Sequence, residues 1–232
     1  MRFCRCEMLI GADALENLKN SSVAVFGVGG VGGYAVEALT RSGVGRIAII
    51  DKDVVDESNI NRQIVALTST IGKNKVDVMK QRMLDINPDV KVEAHCEFYL
   101  PDNADFIELG SFDYVVDAID NVTAKIELIK RCKQADVPII SAMGAGNKLD
   151  PTRIEIADIS KTSVCPLAKV IRRKLADLGI EGVTVAYTRE IPANASGGRT
   201  PASMMPVPAA MGLTMASKVL RDLSGMRIKS KS

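Results

Sequence analysis

Asp51, the run Asn61-Arg62-Gln63, Lys75 and the pair Asp120-Asn121 are the residues whose types and order point to chemistry. An acidic side chain about twenty residues beyond a glycine-rich turn is placed to accept hydrogen bonds from ribose hydroxyls. Two cations, Arg62 and Lys75, beside the same turn suit a triphosphate better than a pyrophosphate. They could neutralise charge developing at an α-phosphate under attack. Asp120-Asn121 offers a hard oxygen ligand of the kind Mg²⁺ takes.

The turn itself reads Val-Ala-Val-Phe-Gly-Val-Gly-Gly-Val-Gly-Gly over residues 23–33, an apolar run passing into glycines. Gly27 permits a tight turn, Gly29 and Gly30 let backbone approach phosphate, and Gly32 lets the following helix pack closely on the strand. A phosphate there faces N–H groups at the positive end of a helix.

Strand-like and helix-like stretches alternate through the first 140 residues, the pattern of parallel strands joined by crossover helices. Strands are expected at about 22–27, 45–50, 90–98, 114–116, 138–142, 153–159 and 182–187. Helices are expected after the glycine turn and at 73–86, 122–135, 167–178 and 209–223. The expected fold class is α/β, a Rossmann-like doubly wound sheet, mostly parallel, with antiparallel additions toward the C-terminus. Asp120 then follows a central strand at the edge where open α/β sheets bind ligands. Residues 188–208, with four prolines and Gly197-Gly198, read as a mobile loop able to cover a site.

The chain has 232 residues, of which 47% are hydrophobic and 25% charged, enough for one substantial core and a single unit spanning 1–232. A net charge of +2 does not by itself mark a nucleic-acid binder. The cysteines, at 4, 6, 96, 132 and 165, form no Cys-x-x-Cys pair, which argues against a disulfide scaffold and a four-cysteine zinc site. With no long apolar run, neither a signal peptide nor a membrane span is expected, and the location read from this is cytoplasmic.

Taken in order, Arg2-Phe3-Cys4-Arg5, the glycine turn, Asp51, Asn61-Arg62-Gln63, Lys75 and Asp120-Asn121 resemble the adenylating enzymes related to ubiquitin-activating enzyme. The likeness covers roughly residues 2–160. It implies ATP and Mg²⁺ as cofactors, Asp51 on the ribose, Arg62 and Lys75 on the phosphates, and Asp120 on the metal. It also implies a homodimer in which Arg5 reaches the γ-phosphate of the neighbouring subunit's site. Within that group the chain is most similar to the short, zinc-free members that dehydrate and cyclise threonylcarbamoyl-adenosine in tRNA, through carboxylate adenylation with release of AMP and pyrophosphate. The sequence between Asp150 and Thr162 and the missing Cys-x-x-Cys pairs carry that likeness. tRNA is then the substrate, and a sulfur-transfer partner stays open. Three other readings remain: adenylation of a ubiquitin-like sulfur carrier's C-terminal glycine, a nucleotide-binding module without catalysis, and an NAD-dependent dehydrogenase in which Arg62 and Lys75 have no evident use.

Other reactive groups have plainer readings. His95, between Glu93 and Glu97 on the polar face of its strand, is expected to face solvent. Cys96 and Cys132 fall on expected buried faces as core residues. Cys4-Arg5-Cys6 lacks the partners of a zinc site. Cys165 precedes a proline-initiated helix, where a thiol pKa falls, yet the structural reading is preferred. Lys169, Arg172 and Arg173 share one helix face. Together with Lys161, Arg189, Arg199, Arg227, Lys229 and Lys231 they form either a solvated face or a phosphate-contact surface.

Overall fold

The computed structural model describes residues 2–193 and 201–226. Two short helices, α1 (Cys4–Ile10) and α2 (Ala12–Asn20), come first, broken at Gly11. Then follow β1 (Ser22–Phe26), α3 (Gly32–Arg41), β2 (Arg46–Ile50), α4 (Lys75–Ile86) and β3 (Lys91–His95). The second half runs β4 (Tyr114–Asp117), α5 (Val122–Gln134), β5 (Ile139–Ala142), β6 (Ile154–Asp158), α6 (Pro166–Asp177), β7 (Thr184–Thr188) and α7 (Pro206–Ser224).

The strands form one seven-stranded sheet in the order β3-β2-β1-β4-β5-β7-β6. All pairings are parallel except β6 with β7. The expected mostly parallel sheet with an antiparallel addition near the C-terminus is therefore present. Its central strands are buried on both faces, with alternate residues feeding two cores. Val23 and Val25 pack with Leu39 of α3, Met79 and Met83 of α4 and Met215 of α7. Ala24 and Phe26 face the other way, toward Leu128 of α5 and Ile171 and Leu175 of α6. The winding reverses between β1 and β4, and a crevice opens outside their carboxyl ends.

Several local expectations are corrected. The 90–98 strand is hydrogen-bonded only over Lys91–His95, because its sole neighbour, β2, ends there and Asp51 N–H takes the His95 carbonyl. Cys96 leaves the strand and is exposed rather than core. His95 is half-buried rather than free in solvent, its ring 5.6 Å from that of Phe106, and its Nε2 is buried without a partner. Cys132 is fully buried, as expected. The fourth helix begins at Lys75, not residue 73.

The last helix begins at Pro206 rather than 209. Proline is compatible with a first helical turn, where no intrahelical acceptor exists for its missing N–H. The expected loop over 188–208 is thus partly strand end and partly helix start, and residues 194–200 of it lie outside the described residues. The sequence reading also passed over α1 and α2. The first is too short for a periodic signal and carries no buried residue.

A side chain at Gly32 has nowhere to go, since an added Cβ would lie 1.8 Å from the Gly27 carbonyl oxygen and 3.1 Å from Ala118 Cβ. Gly32→Ala is expected to destabilise the fold by about 3 kcal/mol or more, beyond ordinary overpacking because the obstacle is backbone. Urea denaturation checks this.

Candidate active site

The phosphate turn leaves β1 at Gly27, whose φ of +89° and whose closeness to the Ala118 carbonyl (2.7 Å for an added Cβ) admit only glycine. Asp51, at the end of β2, holds this turn in place. One carboxylate oxygen accepts from Val28 N–H at 2.7 Å and the other from Asp53 N–H at 2.9 Å. Burial raises the Asp51 pKa, against the lowering influence of the Lys75 cation and of these two N–H groups. Helix α3 starts without a side-chain cap. The N–H groups of an uncapped first turn are free for an anion.

Arg62 lies against this turn. Its Cγ would be 3.6 Å from a Cβ on Gly30, and its guanidinium donates to Ser58 O at 2.7 Å and Asn61 Oδ1 at 2.9 Å. Asn61, exposed, also donates to Ser203 O at 2.7 Å, tying the Arg62 turn to the segment before α7. Gln63 is buried, and its Oε1 has no partner. Its Nε2 would lie 3.8 Å from a Cβ on Gly29. An orphaned polar atom beside a phosphate turn is a feature that a ligand could satisfy. Lys75 is 5% exposed and pairs with Asp53 Oδ2 at 2.8 Å. Asp53 was not among the residues singled out from sequence, although it lies two positions beyond Asp51.

Across the crevice, the loop after β4 carries Asp120 and Asn121. Asn121 caps α5, its Oδ1 accepting from Ala124 N–H at 3.0 Å. This frees Asp120, which is exposed and makes no ion pair or hydrogen bond among the described residues. Gly27, Gly29, Gly30, Gly32, Asp51, Arg62 and Lys75 are thus drawn around one turn. Asp120 faces them from the neighbouring strand end through the Gly27–Ala118 contact. Arg5 is not brought to this turn. It sits exposed on α1.

Residues 3–232 match the ThiF family. The chain belongs to that family. Among proteins of known name, the ThiF-family chain is 48% identical to a tRNA threonylcarbamoyladenosine dehydratase of Bacillus subtilis, covering 99% of each. A solved structure of the Escherichia coli tRNA N6-threonylcarbamoyladenosine dehydratase in complex with ATP superposes with a TM-score of 0.91 at 35% identity, covering 97% of this chain and 94% of that one. The same protein in complex with AMP gives 0.91 at 36% identity and equal coverage.

Two further features of this ThiF-family chain escaped the sequence reading. The first lies beneath the crevice. Lys125 of α5, fully buried, donates to Asp117 Oδ2 at 2.8 Å and to Ser141 Oγ at 3.1 Å, while Ser141 Oγ donates to the same carboxylate at 2.6 Å. The other Asp117 oxygen accepts from Ile119 N–H at 3.1 Å. A lysine among the apolar positions of a helix was the available signal.

The second is Asn147, at φ 58°. Its N–H and Oδ1 pair with the carbonyl and N–H of Ala202 at 2.7 Å each, and its carbonyl accepts from Ala193 N–H at 2.8 Å. Next to it, buried Lys148 donates to the Glu190 carbonyl. Burial lowers the Lys148 pKa, while Cys165 and Glu190 nearby act in the opposite sense. Cys165 itself is 3% exposed and lies at the N-cap of α6.

An ion pair sealed in this way repays its desolvation only while both partners are present. Lys125→Met is expected to cost about 3–5 kcal/mol of stability, and adding Asp117→Leu should recover part of it by removing the uncompensated charge. Equilibrium denaturation of the two single variants and the double variant checks the cycle.

Proposed function

We propose that this chain is an ATP-dependent dehydratase of threonylcarbamoyl-adenosine in tRNA, a single unit acting in the cytoplasm as a homodimer. The observation that carries the reading is the end-to-end likeness to the Bacillus subtilis dehydratase. The phosphate turn, Arg62 and Lys75 supply what adenylation needs.

In this reading the α3 N-terminus and Gly27, Gly29, Gly30 and Gly32 receive the triphosphate, and Asp51 holds the ribose. Asn61 and Asn121 fix the two loops on either side. The threonyl carboxylate, a poor electrophile, attacks the α-phosphate and pyrophosphate leaves. Charge building on the phosphoryl oxygens is met by Arg62 and Lys75. The ureido group then closes a five-membered ring on the activated carbonyl and AMP departs. Because that nucleophile is already tethered, ring closure has a high effective molarity and needs no cysteine. The burial of Cys165 agrees with this.

Among the described residues no three acidic, histidine or cysteine side chains gather to hold an ion alone. The unpaired carboxylate of Asp120 nevertheless fits Mg²⁺, which takes one or two carboxylates together with substrate phosphates. Bound there, the ion would offset triphosphate charge.

The homodimer reading rests on α1, where Met8 and Leu9 are 81% and 80% exposed beside Arg5. Two large apolar side chains on a helix with no buried residue fit a second copy better than solvent. No helix among the described residues is long and apolar enough to cross a membrane. Adenylation of a sulfur-carrier tail is not favoured, because the full-length likeness is to tRNA dehydratases.

Incubating the protein with ATP and tRNA bearing threonylcarbamoyl-adenosine should yield the cyclic nucleoside by mass spectrometry, with one AMP per ring closed. Unchanged nucleoside would sink the reading. Arg62→Ala and Lys75→Ala should each lose about 2–4 kcal/mol of transition-state stabilisation, seen mainly in turnover. Single-turnover AMP formation within threefold of the parent would remove both from the mechanism. Mixing Arg5→Ala chains with Asp120→Ala chains should restore activity, since one of the two sites in a mixed dimer is then intact. Inactive verified heterodimers would contradict the shared site.

A further inference from the structure

We propose that the outer face of α6, with Lys169, Arg173 and Lys174, is the surface on which the RNA backbone docks as its modified base enters the crevice.

Three observations carry this. The first is that these charges are not used by the fold. On the neighbouring α5 every cation has an acceptor: Lys125 on Asp117, Lys130 and Arg131 on Glu127, and Lys133 on the Gly182 carbonyl. On α6, Arg172 is likewise engaged, donating to the carbonyl and hydroxyl of Thr162 at 2.9 and 2.7 Å. Lys169, Arg173 and Lys174 are all exposed, and none lies within 4.0 Å of a carboxylate among the described residues. Lys169 and Arg173, one turn apart, repel each other on an isolated helix, and an external polyanion would relieve that repulsion.

The second observation is the place where α6 starts. A Cβ on Gly144, two residues beyond the end of β5, would lie 3.4 Å from Cys165 Sγ and 4.0 Å from Leu167 Cβ. The first turn of α6 therefore abuts the carboxyl edge of the sheet, where the crevice opens. The cationic stripe begins one turn from that rim and runs outward. Lys161, also exposed and without a carboxylate partner among the described residues, precedes the same rim.

The third is the inner face of the helix, where Ala168, Ile171 and Leu175 are buried in the core beneath the sheet. The stripe is thus held on a rigid element. Arg189, read from sequence as part of the same surface, is engaged instead by Glu155 at 2.9 Å. Arg199, Arg227, Lys229 and Lys231 lie outside the described residues. The occupant is a phosphate backbone rather than a lipid surface, because the face carries cations with only Val170 as an exposed large apolar neighbour on the helix.

The identity of this polyanion rests on the dehydratase reading, so binding and turnover are measured separately. The triple variant Lys169→Ala, Arg173→Ala, Lys174→Ala is compared with Lys80→Ala, Lys91→Ala on the far side of the molecule, using unmodified tRNA in fluorescence anisotropy over a salt series. The stripe variant is expected to bind at least tenfold more weakly. Its log-affinity against log-salt slope should fall by about two in magnitude, near one for each lost phosphate contact. ATP affinity and thermal stability should match the parent. A stripe variant with unchanged affinity and slope overturns the proposal, as does equal loss in the control. So does a parent that binds anionic phosphatidylserine vesicles through α6 but not tRNA. A parent that binds tRNA through α6 yet closes no ring leaves this surface standing and overturns the dehydratase reading instead.

Discussion

Three stretches of backbone meet beneath the phosphate turn with no space for a side chain between them. The carbonyl of Gly27, the first residue of the turn, lies where a Cβ of Gly32 would have to be, and Gly27 in turn lies against the Ala118 carbonyl. That contact sets the distance between the end of β1, the start of α3 and the end of β4. The mouth of the crevice is the gap left when these elements are held that close. Arg62 and Lys75 come from longer excursions after β2, and both are anchored to the same point, Lys75 through Asp53 and Asp51, and Arg62 against Gly30.

The strands and helices that build the crevice could be read from sequence because burial on both faces leaves unbroken apolar runs, as in Val23–Phe26 and Ile47–Ile50. The glycine turn and Asp51 were legible for a related reason: backbone geometry allows few residue types there. What the sequence hid were relations across space. His95 looked polar between two glutamates, but edge strand β3 turns that side toward Phe106. Cys96 looked apolar by alternation, but alternation stops where β2 ends. Pro206 and Pro208 looked like loop residues because proline marks loops and first helical turns alike.

The Lys125–Asp117–Ser141 cluster shows a different limit. Each residue is unremarkable in its own segment, and only the sheet order, which sets β4 beside β5 under α5, closes the triangle. Its position gives it a role apart from stability. Asp117 is the last residue of β4, and its second oxygen fixes Ile119 N–H, so the loop presenting Asp120 leaves the strand in one direction. A charge pair buried at this depth is a costly way to shape a loop, but it gives the loop a rigid base without contributing to the open surface above it.

Asn147 has a consequence for how this region can change over time. By gripping Ala193 and Ala202 with its own backbone and amide, it closes a ring of chain whose stem is independent of what lies between. Lengthening such a ring carries only a logarithmic entropic penalty. Insertions, deletions and wholesale replacement between 193 and 202 can therefore accumulate while the sheet edge stays fixed. Descendants of this fold could revise what covers the crevice without renegotiating how the crevice is made.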